Sequence, residues 1–344
     1  MTIKKEKKMT DQIYLFVFGL ILLIKGGDWF VDSATSIARR FKLPELLIGA
    51  TVVSIGTTLP EVMVSATAAI QGSGGMAYGN AIGSIICNTS LIAATTIAIK
   101  PGKVDKKTMI LPVSFFFAAA LFYSLTAYIG GRFTRATGII LLCMFVAYMT
   151  LTIVNMLRDS KNKPEVEMGE LDEHSIEENE AGSASIIKSV IMLILGAAVI
   201  AVGADLLVDN GIKIAEAIGV PETVISLTFV ALGTSLPELV TAITSLMKGH
   251  GALSLGNIIG ANLFNLVLVS GVATVILPFD VPAGTTIGST PLSFIVDIPV
   301  MLAVMLVMVV PALIRGKLSR AQGISLLAIY AAFCAAQFII PLFL

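Results

Sequence analysis

Two glutamates in this chain each follow a proline within an apolar stretch, in hexapeptides that match almost residue for residue. The motifs are Gly56-Thr57-Thr58-Leu59-Pro60-Glu61 and, 177 residues later, Gly233-Thr234-Ser235-Leu236-Pro237-Glu238. A carboxylate in hydrocarbon is costly, so an acid kept at matching places in two apolar stretches indicates a function. The hydroxyl residues three and four positions before each glutamate share its helical face.

The chemistry of both motifs is that of oxygen ligands. Proline has no amide hydrogen, so the carbonyl oxygens of Gly56 and Gly233 lose their helical partners, and we expect the interrupted turns to face the protein interior. In the next apolar stretch Ser84 and Asn88 are four residues apart, and Asn265 is the equivalent of Asn88. Carboxylate, hydroxyl, amide and carbonyl oxygens without sulfur or imidazole predict a site for a hard cation, Ca²⁺ or Na⁺.

Charge counting adds a prediction about coupling. Two glutamates contribute a charge of −2, so one Ca²⁺ leaves the loaded site neutral, whereas three Na⁺ leave it at +1. A three-for-one exchange would therefore be electrogenic, and the membrane potential would act on the sodium-loaded form.

The elements that carry these motifs are predicted to be membrane-spanning helices. The chain has 56% apolar and 13% charged residues and a mean hydropathy of +0.91, far from the roughly 25% charged residues of soluble domains. Apolar runs long enough to cross a bilayer as helices lie at 13–33, 44–70, 77–99, 109–130, 135–157, 186–208, 221–247, 253–277, 291–313 and 321–343.

The register of 177 residues extends well beyond the motifs and indicates an internal duplication. It relates Asp28 to Asp205, Asp32 to Asp209, Gly79 to Gly256, Asn80 to Asn257, and Asn88 to Asn265. Because five spans per half is an odd number, the second half must enter the membrane from the opposite side. We therefore predict an all-α membrane protein of ten transmembrane helices, arranged as two inverted five-helix repeats with broken helices 2 and 7.

Residues 1–157 and 186–344 form the predicted repeats, and the acidic segment 158–185 is predicted to be a solvated linker. A cation-sensing role for this segment is the alternative, but it lacks the ligand spacing of an EF-hand. Fifteen lysines and arginines lie in the loops after the odd-numbered spans and seven on the other side. This asymmetry predicts a multi-pass protein of the cell membrane with both termini outside and a cytoplasmic linker.

The remaining polar residues of the spans are given structural roles. Asp28, Asp32, Asp205 and Asp209 are expected to anchor or cap span ends, and Asp297 to cap the ninth helix. The Gly79-Asn80 and Gly256-Asn257 pairs are interpreted as packing positions rather than ligands. The three cysteines, Cys87, Cys143 and Cys334, fall in separate spans and are interpreted as packing residues.

The two motifs, the two Gly-Asn-x-Ile-Gly-x-x-x-x-Asn segments and the ten-span layout resemble the alpha repeats of the calcium/cation antiporter superfamily, in particular prokaryotic sodium/calcium exchangers. The resemblance implies a Ca²⁺ site formed by Thr57, Glu61, Thr234 and Glu238. It further implies Na⁺ sites or site lining at Thr58, Ser84, Asn88, Ser235, Asn265 and the backbone oxygens of Ser54 and Ala231. Some relatives have serine in place of Ala261 and aspartate in place of Asn265. Alternating access by sliding of the first and sixth spans is also implied.

The leading hypothesis is a secondary antiporter that exchanges Na⁺ for Ca²⁺. Coupling to H⁺, or a K⁺ requirement, is the nearest alternative, and a cation channel is a more distant one. An enzyme is not expected, because no nucleophile and base pair is apparent at membrane depth. Neither a catalytic residue nor a cofactor is predicted. The expected partners are Ca²⁺, Na⁺ and the lipid bilayer, without nucleic acid, for a chain taken as monomeric.

Overall fold

The computed structural model describes residues 2–41, 43–162, 182–217, 233–282, 286–287 and 290–343. Helices dominate these residues. In chain order they are α1 (Thr2–Arg40), α2 (Glu45–Ile70), α3 (Gly74–Ile99), α4 (Lys106–Gly130), α5 (Arg135–Asn162), α6 (Gly182–Ala217), α7 (Leu236–Met247), α8 (Gly251–Ile276), α9 (Ser293–Arg315) and α10 (Arg320–Phe343).

Eight helices in the described part of the chain are long and apolar enough to cross a membrane, namely α1 to α6, α8 and α9. The chain is therefore an all-α membrane protein. Helix α7 is a shorter apolar helix of 12 residues. The first part of the predicted seventh span, residues 221–232, and the central part of the predicted linker, residues 163–181, lie outside the described residues.

Helices α1 and α6 pack tightly against each other and run antiparallel. Gly19 approaches the Gly203 carbonyl, and Gly26 approaches the Gly196 carbonyl, so closely that a Cβ atom at either glycine would lie 2.8 to 3.1 Å from that oxygen. Small residues at such spacing let two helix backbones approach without side chains between them, as in other membrane helix pairs. The 177-residue register relates Gly19 to Gly196 and Gly26 to Gly203, so the contact is made by the same positions of both copies.

Matching irregularities occur in α3 and α8. Each helix begins with 14 α-helical residues, Gly74–Cys87 and Gly251–Phe264, and then widens into a π-helical turn that starts at Asn88 and Asn265. Helices α2 and α7 also end at equivalent residues, each followed by a glycine with positive φ, Gly72 at +82° and Gly249 at +85°. Glycine adopts this left-handed conformation without the steric cost of a Cβ atom.

The expected interruption of α2 at Pro60 is not found. Pro60 lies inside the α-helical segment Ser54–Ile70, and the irregularity lies upstream, in a π-helical turn at Gly49–Val53. Proline removes one hydrogen bond from the helix, and the neighbouring bonds are sufficient to continue it. In the second copy Pro237 lies in the first turn of α7, which begins after Ser235.

A large apolar core surrounds α3 and α8 and includes the buried rings of Tyr123, Phe133 and Phe264. Two short antiparallel pairs complete the described fold. Strand β1 (Arg132–Phe133) pairs with β2 (Phe279–Asp280) in the register Arg132 to Asp280, and β3 (Thr286–Ile287) pairs with β4 (Thr290–Pro291). The first pair joins the loop after α4 to the loop after α8.

Three sequence-based expectations differ from the structure at helix ends. Helix α1 continues to Arg40, beyond the predicted end at 33, because Ala34 and Ala38 remain buried against the core. Asp28 and Asp32 consequently lie within a helix. The two ends of the predicted linker are helical, since α5 extends to Asn162 and α6 begins at Gly182. Asp297 forms no side-chain cap and instead accepts a hydrogen bond of 2.6 Å from the Gln337 amide.

The close α1–α6 contact predicts a large effect of added volume. Gly203→Leu should lower the free energy of unfolding by about 1–3 kcal/mol because the new side chain must separate two backbones. Thermal unfolding in detergent, followed by the fluorescence of Trp29, the only tryptophan in the sequence, should show a midpoint several degrees lower. Val202→Leu, at a neighbouring exposed position, is the matched control. Equal midpoints for the two variants would contradict the packing argument.

Candidate ion-binding site

The two motif glutamates meet inside the protein. Glu61 in α2 and Glu238 in α7 both have side chains with 0% exposure. The charge of Glu238 acts on Glu61, and the Thr57 hydroxyl lies beside Glu238. None of the four carboxylate oxygens has a hydrogen-bond partner among the described residues. The structure thus places two unpartnered carboxylates from different halves of the sequence in one buried region.

Helix α8 holds the α2 side of this region in place. The Thr57 hydroxyl donates a hydrogen bond of 3.2 Å to the Asn257 side-chain oxygen. The Ser54 hydroxyl lies 2.7 Å from the Gly49 carbonyl and 2.9 Å from the Asn257 carbonyl. Both Ser54 and Thr57 are buried. These contacts fix the face of α2 that carries Glu61.

The asparagines of the two Gly-Asn pairs have a larger role than packing. In the first copy Asn80 donates a hydrogen bond of 3.1 Å to the Glu61 backbone carbonyl and one of 2.9 Å to the Ser65 hydroxyl. In the second copy Asn257 accepts from Thr57. Gly256 does pack as expected, directly against the backbone of Leu46, but Gly79 is exposed, and a Cβ atom there would meet nothing within 4 Å. The 177-residue register that relates the two motifs also relates Asn80 to Asn257. This shared register is the sequence signal that could have linked both asparagines to the site.

Several of the other predicted ligands are buried with unpartnered polar atoms. The side-chain atoms of Thr58, Asn88, Ser235 and Asn265 have no hydrogen-bond partner in the described part of the chain. Asn88 and Asn265 both begin π-helical turns, a local widening that is common at functional sites. Ser235 approaches the Cys87 thiol, next to Asn88.

The remaining predicted site residues differ in their surroundings. Ser84 is buried at 4% exposure, and Ala261 is fully buried and supplies no hydroxyl. Thr234 is half-buried and lines a cavity between α6 and the motif helices. Ala231 lies outside the described residues.

Comparison with known proteins gives the family. The model of the sodium/calcium exchanger protein family matches residues 12–154 and 188–339. The chain belongs to the sodium/calcium exchanger family. It is 32% identical to the sodium/calcium exchanger MaX1 of Methanosarcina acetivorans over 357 residues, which cover 96% of this chain and all of that protein. It is 35% identical to an uncharacterized membrane protein of Methanocaldococcus jannaschii over 322 residues, which cover 92% of this chain and 94% of the relative.

Solved structures of an exchanger have the same fold. The sodium–calcium exchanger NCX_Mj, in crystals soaked with Na⁺ and Sr²⁺, matches with a TM-score of 0.76 and 32% identity, over 95% of this chain and 99% of the other. The same protein soaked without Na⁺ and Ca²⁺ matches with a TM-score of 0.73 over 95% of this chain. The match therefore extends across both halves of the exchanger fold.

The donor set of this exchanger suits a hard cation. Buried carboxylate, hydroxyl and amide oxygens lack hydrogen-bond partners here, and the described ranges contain no cluster of three or more histidine, cysteine, aspartate or glutamate side chains that could hold a metal ion. A buried carboxylate without a partner is strongly destabilising, so the pair requires cations or protons. Oxygen ligands of mixed charge are those that Ca²⁺ and Na⁺ prefer.

The Thr57–Asn257 hydrogen bond predicts a cost for losing its acceptor. Asn257→Ala should lower the free energy of unfolding of the ion-free protein by about 1–3 kcal/mol, because a fully buried hydroxyl loses its side-chain partner. Thermal unfolding in detergent measures the change. Ser254→Ala, one turn earlier at a buried position of the same helix, should have a smaller effect. An Asn257→Ala midpoint equal to that of the parent would contradict this role.

Proposed function

We propose that this chain is a secondary active antiporter that exchanges Na⁺ for Ca²⁺ across the cell membrane by alternating access and so extrudes Ca²⁺. The observation that carries the proposal is the buried pair Glu61 and Glu238, whose four oxygens have no partner in the described protein. Membership of the sodium/calcium exchanger family supports the choice of ions.

Ligand roles follow from the donor types. In this proposal Glu61 and Glu238 bind Ca²⁺ together with the hydroxyls of Thr57 and Thr234. A second group of residues forms Na⁺ sites or lines them, namely Ser54, Thr58, Ser84, Asn88, Ala231, Ser235 and Asn265. The unpartnered atoms of Thr58, Asn88, Ser235 and Asn265 support this assignment. The absence of a hydroxyl at Ala261 and of a charge at Asn265 limits the number of strong Na⁺ ligands in the second half.

The proposed architecture is a pair of inverted five-helix repeats, residues 1–157 and 186–344, joined by the linker 158–185. The antiparallel contact of α1 with α6, made by equivalent glycines, supports inversion. The α-helical segments Gly74–Cys87 in α3 and Gly251–Phe264 in α8 begin and end at equivalent positions, which supports the duplication. We place both termini outside and the linker in the cytoplasm on the lysine and arginine distribution, and we take the monomer as the transporting unit.

The proposed exchange is electrogenic. Two carboxylates balance one Ca²⁺, whereas three Na⁺ leave one positive charge, so net charge crosses the membrane with the sodium-loaded form. The membrane potential contributes about 2.3 kcal/mol per charge per 100 mV. An inside-negative potential would thus favour Na⁺ entry and Ca²⁺ extrusion.

Removing either carboxylate charge should abolish exchange. Glu61→Gln and Glu238→Gln each remove half of the charge that balances a divalent ion, and the lost attraction in a buried site is on the order of several kcal/mol. Sodium-driven ⁴⁵Ca²⁺ uptake into proteoliposomes should fall to the background of empty vesicles. Glu45→Gln, which changes a glutamate that pairs with His250 outside the motifs, is the charge-matched control and should retain uptake. Wild-type uptake in either motif variant would contradict the proposal.

Coupling to protons is the alternative, since both glutamates could carry H⁺. The two mechanisms separate in proteoliposomes with defined ions on each side. We expect ⁴⁵Ca²⁺ uptake to follow an outward Na⁺ gradient at fixed pH and to be unaffected by a pH gradient without Na⁺, with K⁺ omitted or present on both sides. Uptake driven by a pH step and indifferent to Na⁺ would replace sodium coupling with proton coupling.

A further inference from the structure

Helix α7 closes against α1 through a stripe of three residues spaced four apart. Val240 and Thr244 pack on Gly27, where a Cβ atom would lie 2.7 Å from Val240 Cγ1 and 2.9 Å from Thr244 Oγ1. One turn further, Lys248 Nζ lies 2.8 Å from Asp32 Oδ1 and 3.1 Å from Asp28 Oδ1. Apolar packing and two ion pairs therefore seal α1 to α7 at this end, which we call the Lys248 end.

The duplicated sequence places an equivalent stripe at the opposite end. Subtracting 177 relates Val240 to Met63, Thr244 to Thr67 and Lys248 to Gln71. Adding 177 relates Gly27, Asp28 and Asp32 of α1 to Ala204, Asp205 and Asp209 of α6. Both aspartates are thus present in the second copy, but the lysine is replaced by an uncharged glutamine. We call this the Gln71 end.

The Gln71 end is less tightly packed than the Lys248 end in the structure. Met63, Ala204, Asp205 and Asp209 line a cavity of about 960 Å³ that reaches Pro60 and Thr234 of the two motifs. The equivalent residues at the Lys248 end are in direct contact. The two ends thus differ both in packing and in charge pairing, although the aspartates are the same.

Asp28 and Asp32 stabilise the charged form of Lys248. Partial burial lowers the pKa of this lysine, but the hydrogen bonds and charges of Asp32 and Asp28 more than offset that effect and raise its pKa above the usual value. Lys248 also donates to the Asp28 backbone carbonyl at 3.4 Å. Among the ion pairs of the described residues, these are the ones that join α1 to the turn after α7.

We propose that Lys248 is a latch residue: its ion pairs with Asp28 and Asp32 hold the Lys248 end closed and favour the conformation that has its cavity beside Met63, Asp205 and Asp209. The inference rests on the proposed function, because alternating access requires the Lys248 end to open in each cycle. Since α1 must then leave α7, both ion pairs break at that step. Gln71 offers no equivalent, so the two conformations of the duplicated fold differ in stability.

The test measures access to each end directly. A single cysteine is introduced by Val240→Cys, which reports the Lys248 end, or by Met63→Cys, which reports the Gln71 end, after Cys87, Cys143 and Cys334 are replaced by alanine. The rate of reaction with a polar maleimide is measured in detergent, without ion gradients. Lys248→Gln should raise the labelling rate of Val240→Cys about 3- to 10-fold, as expected for the loss of two partly exposed ion pairs. Lys248→Arg should restore the slow rate.

The reciprocal change supplies the matched variant. Gln71→Lys gives the second copy the lysine that its register relates to Lys248, where Asp205 and Asp209 are the equivalents of Asp28 and Asp32, and should slow the labelling of Met63→Cys. An unchanged rate for Val240→Cys in Lys248→Gln would overturn the latch, as would an equal rise in Lys248→Arg. If Lys248→Gln does not fold, the double variant Asp28→Asn with Asp32→Asn removes the same ion pairs. Sodium-driven Ca²⁺ uptake by the parent protein tests the proposed function separately, because labelling needs no transport.

Discussion

Two buried carboxylates that find no hydrogen-bond partner among the described residues are the constraint on which the rest of this structure depends. Burying one unpaired charge costs several kcal/mol, and two like charges close together repel each other strongly. Glu61 and Glu238 are fully buried and lack hydrogen-bond partners in the described protein. Such a pair is stable only with bound cations or protons. Binding of cations or protons to these carboxylates therefore also stabilises the folded protein.

The surroundings of the pair are hydrogen-bonded on one side and border a cavity on the other. Asn80 and Asn257 form hydrogen bonds with the Glu61 backbone carbonyl and with hydroxyls of α2. By contrast, the glycine-lined pair α1 and α6 packs directly on α7 at the Lys248 end and borders a cavity at the other end. In the proposed alternating access, movement of that pair would change access to Glu61 and Glu238 without moving the helices that carry them.

Much of this could be predicted from the sequence because the signals are physical and duplicated. Acidic residues in long apolar runs are rare, and the 177-residue register pairs Glu61 with Glu238 before any coordinates are known. The spans follow from length and apolar composition alone. The placement of Thr57 and Thr58 on the glutamate face of α2 follows from helical periodicity.

Other features depend on tertiary contacts that no local pattern shows. Proline at position 60 suggests a broken helix, yet the π-helical turn at Gly49–Val53 takes up the irregularity because α8 packs there. The role of Asn257 depends on its distance from Thr57, 200 residues earlier. Asp28 and Asp32 looked like interfacial anchors because Lys248, their partner, is distant in the sequence.

The position of the bound divalent ion tests the central claim most directly. Crystals grown with Ca²⁺, with anomalous diffraction measured at long wavelength, should show one strong peak between Glu61 and Glu238. Its distances to carboxylate oxygens of both residues should be about 2.3–2.6 Å. A saturated crystal with no peak between these carboxylates, or with its main peak elsewhere in the protein, would contradict the account.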